Sequence, residues 1–150
     1  MTDKEAKQTG GMAAIKSLLP VVLIAELYWM IKETKGDFAN GILFFISYHT
    51  NIFIILFYAS LFVSTWLFGQ NAGKELIIQK KNKYLIAIKY SVLTTLILFT
   101  YAFLTTIITH ADINVFFMPA LVVFLLLSIV WLWTVRRIGI KGLTQNTGTL

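Results

Sequence analysis

The sequence predicts an all-α integral membrane protein, a bundle of four transmembrane helices with both termini in the cytoplasm. Three observations carry this reading. Of 150 residues, 57% are hydrophobic and only 13% charged, and the mean hydropathy is +0.75, which leaves too little polar surface to coat a soluble fold. The charges are gathered into short stretches separated by long uncharged runs. Each of the four runs is long enough to cross a hydrocarbon core of about 30 Å, which takes roughly 20 residues at about 1.5 Å each.

The first run spans about 13–31 and carries Lys16 near its start, Pro20, and Glu26 beyond its middle. Glu26, Leu27, Tyr28 and Trp29 stand where a cleaved signal peptide needs small residues, so the segment reads as retained. The second run spans about 41–69, and no Asp, Glu, Lys or Arg occurs between Asp37 and Lys74. Read as one helix, it outreaches the hydrocarbon core and must tilt or project.

The third run spans about 84–109, with Lys89 near enough to its start to snorkel to the interface. A short connection through His110 and Asp112 leads into the fourth, about 113–135, which ends at Arg136 and Arg137. A loop so short makes the last two helices an antiparallel hairpin.

Orientation follows from the basic residues. Lys4, Lys7 and Lys16 lie on the N-terminal side, Lys74, Lys80, Lys81, Lys83 and Lys89 in or beside the loop 70–83, and Arg136, Arg137 and Lys141 in the tail. The other connections hold only Lys32 and Lys35. The positive-inside rule then places both termini and the loop 70–83 in the cytoplasm, with Trp29, Trp66, Trp131 and Trp133 at belt positions near helix ends. Gly69 and Gly73 form a GxxxG at the membrane edge, where it reads as a helix stop rather than a dimerisation face.

Several chemistries are excluded or disfavoured. The chain has no cysteine, which removes disulfides, thiolate nucleophiles and iron–sulfur clusters. Its two histidines lie in different segments without a ligand at i+3 or i+4, so no metal and no cofactor is expected. The net charge of +6 is accounted for by topology, and no direct nucleic-acid binding is expected.

Intramembrane polar residues gather toward the outer side: Glu26, His49, Asn51, Tyr101, Thr105, His110 and Asp112. Ionisable groups in a membrane are costly and need an internal partner, so they could form an outward-facing polar pocket with Glu26 paired to His49. Equally, the carboxylate could meet interfacial water while His49 bonds within the bundle. Ser47, Asn51, Tyr58 and Thr65 form a stripe on the second segment, and Thr94, Tyr101 and Thr105 another on the third. Such stripes either line a pore or join helices by hydrogen bonds. The fourth segment, poor in polar residues, is expected to face lipid or an oligomer partner.

At the other end Lys74, Lys80, Lys81, Lys83, Arg136 and Arg137 make a basic cytoplasmic face. It serves topology and attraction to anionic lipid, or docks an acidic partner.

The run Phe44-Phe45-Ile46-Ser47-Tyr48-His49-Thr50-Asn51-Ile52 resembles the aromatic–hydroxyl–x–x–hydroxyl–Asn pattern of a bacterial multi-pass family related to the eukaryotic androgen-induced membrane hydrolases. The Thr-rich third segment with Tyr101, and Pro119 in the fourth, fall where that family has comparable residues. The resemblance covers much of the chain through short motifs. It implies a lipid-ester hydrolase with Ser47 or Thr50 as nucleophile and His49 or His110 as base. The family has six helices, and its His before the proline has no counterpart among Asn114, Val115, Phe116, Phe117 and Met118.

The residues themselves favour a non-enzymatic, oligomeric component of a bacterial inner membrane, a subunit, sensor or anchor whose partners are the bilayer, further copies of the chain, or a cytosolic or membrane protein. An intramembrane Ser/Thr lipid hydrolase and a small holin-like pore are the alternatives.

Overall fold

Thr2 starts the first helix by a capping box: its hydroxyl accepts from the Glu5 amide, and the Glu5 carboxylate accepts from the Thr2 amide. From there α1 runs Asp3–Thr34, ten residues earlier than the apolar run suggests, because the cap and the small residues that follow are helix-compatible without being apolar. The computed structural model describes residues 1–109 and 117–147; within these, the side chains at 38, 39, 44, 106, 109, 117–121 and 142–147 fall outside the description. The expected connection through His110 and Asp112, with Asn114, lies outside the described residues.

Lys35 and Gly36 take left-handed conformations (φ 52° and 86°) and end α1. Asp37 then accepts hydrogen bonds from the amide and side chain of Asn40 and opens α2, Phe38–His49. Next come α3, Ile52–Ile77, α4, Lys83–Thr109, and α5, Phe117–Thr147. All described regular structure is helical, and α1, α3, α4 and α5 are each long and apolar enough to cross a membrane. Ile24, Leu43 and Leu85 are each 67% exposed. Such side chains on the outside of the bundle are stable in lipid and a liability in water.

The expected single helix over 41–69 is corrected to two. At Thr50 and Asn51 the ladder stops: the Thr50 hydroxyl donates to the Ser47 carbonyl, and the Asn51 side chain accepts from the Phe53 amide at 2.9 Å as the N-cap of α3. Asn and Thr compete with the backbone for its own hydrogen bonds, so a break falls where they are adjacent. The expected loop 70–83 is corrected as well, since α3 continues to Ile77 and α4 begins at Lys83.

Around the bundle the order is α1, α3, α4, α5, with α5 returning to α1. The closest approach joins α1 and α3 through small residues. A Cβ on Gly10 would stand 2.0 Å from the Gly69 carbonyl oxygen, and one on Gly73 would stand 2.2 Å from that of Ala6. Gly69 and Gly73 are therefore an intramolecular packing seam rather than a helix stop. Only glycine lets two backbones approach this far.

Two apolar clusters fill the interior. One, toward the basic end, includes Ala14, Ala72, Ile86, Tyr90, Trp131 and Ile138, and the other, nearer mid-bundle, includes Leu18, Leu61, Leu98, Leu127 and Val130. The last helix is thus not chiefly a lipid-facing element: Val130, Trp131, Thr134 and Ile138 are fully buried. Nor does Trp131 belong to a belt, because its indole N–H donates to the Thr94 hydroxyl at 3.1 Å in the core. Trp29 and Trp133 do stand exposed.

Candidate functional site

The break between α2 and α3 organises the polar residues of the end opposite the termini. Gly41 packs against Met30 and Thr34, so α2 folds back along α1 and brings His49 level with Glu26. Their closest atoms, Nε2 and Oε2, are 3.4 Å apart, with Glu26 17% and His49 26% exposed. The Nδ1 of His49 lies 2.8 Å from the Phe45 carbonyl. A carbonyl only accepts, so Nδ1 carries a hydrogen and Nε2 faces the carboxylate. A hydrogen bond across that gap needs one proton, held by either the imidazole or the carboxyl. The imidazole is enclosed by rings: Phe45 at 4.0 Å, Tyr48 at 5.2 Å and Tyr58 at 5.7 Å between centroids.

A second polar group forms where α3 starts. Asn51 holds the Phe53 amide and the Tyr101 hydroxyl donates to the Phe53 carbonyl, tying α4 to the break. Thr105 donates to the Tyr101 carbonyl at 2.9 Å. The expected outer cluster is thus two adjoining sets, Glu26 with His49 and Asn51 with Tyr101 and Thr105. His110 and Asp112 lie outside the described residues.

The residues named by the hydrolase resemblance are placed as follows. Ser47 is exposed, and Thr50 donates to the Ser47 carbonyl. Among the described residues neither hydroxyl is bonded to His49, whose ring nitrogens face Phe45 and Glu26.

The α4 stripe joins helices, since Tyr101 donates to the Phe53 carbonyl of α3 and Thr94 accepts from Trp131 of α5, whereas most other hydroxyls bond within their own helix. Ser17, Ser91, Thr94, Thr95, Ser128 and Thr134 each donate to the carbonyl four residues earlier in their own helix. Thr65 is the exception, buried with its hydroxyl unpartnered. The break also parts Ser47 from Tyr58 and Thr65. Below it, a crevice of about 150 Å³ is lined by apolar side chains such as Leu18, Val22, Phe57, Leu98 and Leu127, with Tyr58.

At the basic end two carboxylates escape a reading by residue counts. Asp3 pairs with Lys7 at 2.7 Å and Lys74 at 3.5 Å, joining α1 to α3. Glu75, its side chain 13% exposed, pairs with Lys89 at 2.5 Å and Lys81 at 3.6 Å, joining α3 to α4. A lone Glu among five lysines was the available signal. Lys89 therefore does not simply snorkel; it is held by Glu75 over the Tyr90 ring. Lys80, Lys83, Arg136 and Arg137 are exposed and, among the described residues, form no ion pair with a carboxylate.

Among the described residues no three His, Cys, Asp or Glu side chains come together as metal ligands would. No family model, curated protein or solved structure matches this chain.

Proposed function

We propose that this multi-pass membrane protein is a non-enzymatic component of a bacterial inner membrane, with both termini in the cytoplasm. In this reading it acts as a subunit, sensor or anchor for a partner at its basic end, together with further copies of itself. The observation that carries the proposal is the division of charge at that end. Asp3 and Glu75 each pair with two lysines, Lys7 and Lys74, and Lys81 and Lys89, while Lys80, Lys83, Arg136 and Arg137 project without a carboxylate among the described residues. Exposed cations of one sign steer an acidic partner and set its register.

The sensor form of the reading draws on Glu26 and His49. Two ionisable groups 3.4 Å apart beside a helix break give a change of charge there a route to the geometry of α2. The hydrolase reading needs a hydroxyl within about 3 Å of a free imidazole nitrogen; both nitrogens of His49 already face other groups, and the alternative base, His110, lies outside the described residues. The pore reading loses Asn51 as a lining residue, since its side chain caps α3.

Photo-crosslinking in cells from a single cysteine at Lys80 tests the proposal. The expected adduct, with a second copy or another protein, disappears when Arg136→Glu and Arg137→Glu are combined. Purified protein that runs as a lone monomer and gives no adduct overturns it. Fluorophosphonate labelling abolished by Ser47→Ala or Thr50→Ala would put the hydrolase in its place.

A further inference from the structure

Where α3 ends, α4 begins and α5 passes, the three helices leave a groove of about 400 Å³. Leu76 of α3, Tyr84 of α4 and Leu132 and Ile140 of α5 supply its apolar wall, and Lys83 and Arg136 line it as well. Tyr84, Leu132 and Ile140 are 59%, 44% and 53% exposed, so their apolar surface is available to an occupant. Neither cation is paired with a carboxylate among the described residues, although Lys81 and Lys89 close by are both held by Glu75. Lys83 opens α4, and Arg136 directly follows the uncharged run 113–135. Both cations therefore stand where apolar chain gives way to polar chain, the level at which lipid headgroups lie.

We propose that this groove binds one anionic phospholipid, its phosphate held between Lys83 and Arg136 and an acyl chain lying along Tyr84 and Leu132, on the membrane side of the two cations. Charge complementarity and position argue for that occupant together. A basic recess between transmembrane helices at the membrane surface suits an anionic headgroup, and the adjoining apolar wall suits the chain attached to it. Free phosphate would leave the apolar wall uncovered, and a zwitterionic lipid would bring a cation against Lys83 and Arg136. The groove shares Lys83 and Arg136 with the basic face proposed above, and lipid counted on the purified chain alone reads this site apart from any protein partner.

Gly139 provides the cleanest test, because it lines the groove and a Cβ added there meets nothing within 4 Å. A tryptophan at this position is expected to fill the groove without disturbing the helix contacts. The full chain, purified in detergent, is titrated with phosphatidylglycerol, phosphatidylcholine and inorganic phosphate, and bound lipid is counted by native mass spectrometry. The wild type is expected to retain one phosphatidylglycerol in preference to phosphatidylcholine, without displacement by phosphate. Lys83→Gln with Arg136→Gln, and separately Gly139→Trp, should weaken that binding about tenfold or more. Lys4→Gln with Lys16→Gln removes the same charge from exposed positions outside the groove and should leave it unchanged. The site is overturned if the control pair weakens binding as much, if Gly139→Trp binds like the wild type, if phosphatidylcholine binds equally, or if phosphate displaces the lipid.

Discussion

Thr65 and Thr94 are both buried threonines on facing helices, yet their hydroxyls have opposite standing. Thr94 donates to the Tyr90 carbonyl at 2.7 Å and accepts from Trp131 at 3.1 Å, whereas the Thr65 hydroxyl has no partner. Thr94→Val strands a buried indole N–H and should cost about 1–2 kcal/mol, more than the roughly 0.6 kcal/mol average for hydrogen bonds between membrane helices. Thr65→Val removes a buried polar atom that bonds nothing and should be neutral or stabilising by up to about 1 kcal/mol. Equilibrium unfolding in mixed micelles distinguishes the two. The sequence pattern places both residues on polar stripes and cannot separate them. Whether a hydroxyl finds a second partner depends on which side chain the neighbouring helix presents at that level.

Among the elements, the crossing of α1 and α3 and the start of α3 carry the clearest consequences. Gly10→Ala would drive a methyl into the Gly69 carbonyl, and backbone on both sides cannot yield as a flexible side chain would. The expected cost is about 1–3 kcal/mol or more, with separation of α1 from α3 seen as faster hydrogen exchange in both. Gly139→Ala meets nothing within 4 Å and should instead stabilise α5 by about 0.5–1 kcal/mol. At the break, Asn51→Ala removes the α3 N-cap and should cost about 1 kcal/mol. The exchange of the Phe53 amide, which Asn51 protects, should rise first. The four apolar runs mark the four helices long and apolar enough to cross a membrane, but the break at Thr50 and Asn51 is hidden in an uncharged stretch where hydropathy alone gives no signal.

The whole molecule is asymmetric along its long axis. Asp3 and Glu75 pin helices together at the basic end, and the Glu26–His49 pair lies toward the other. If that axis stands across the membrane as the basic residues require, an impermeant thiol reagent should label Lys35→Cys in intact cells. Lys80→Cys should react only after permeabilisation. The native chain has no cysteine, so each variant reports one position. Labelling of Lys80→Cys but not of Lys35→Cys in intact cells would reverse the orientation proposed for the basic end.

Part of the candidate site was legible in advance. Glu26 and His49 are rare ionisable residues in apolar surroundings, and each needs a partner, so their pairing could be anticipated from composition and depth. Lys83 and Arg136 are visible as charges in the sequence, but the groove they share is not, because it arises from the angle at which α3, α4 and α5 separate. The sequence by itself determined the class of solvent, the number of spans and the distribution of charge between the two ends. Those follow from summed hydropathy and charge along the chain, which are local quantities. Only the tertiary structure decided that Gly69 and Gly73 receive α1, that Trp131 lies in the core, and that Glu75 takes Lys89. Each depends on the rotation of one helix against another, which is set by backbone approach and side-chain fit across the interface rather than by any property of a single segment.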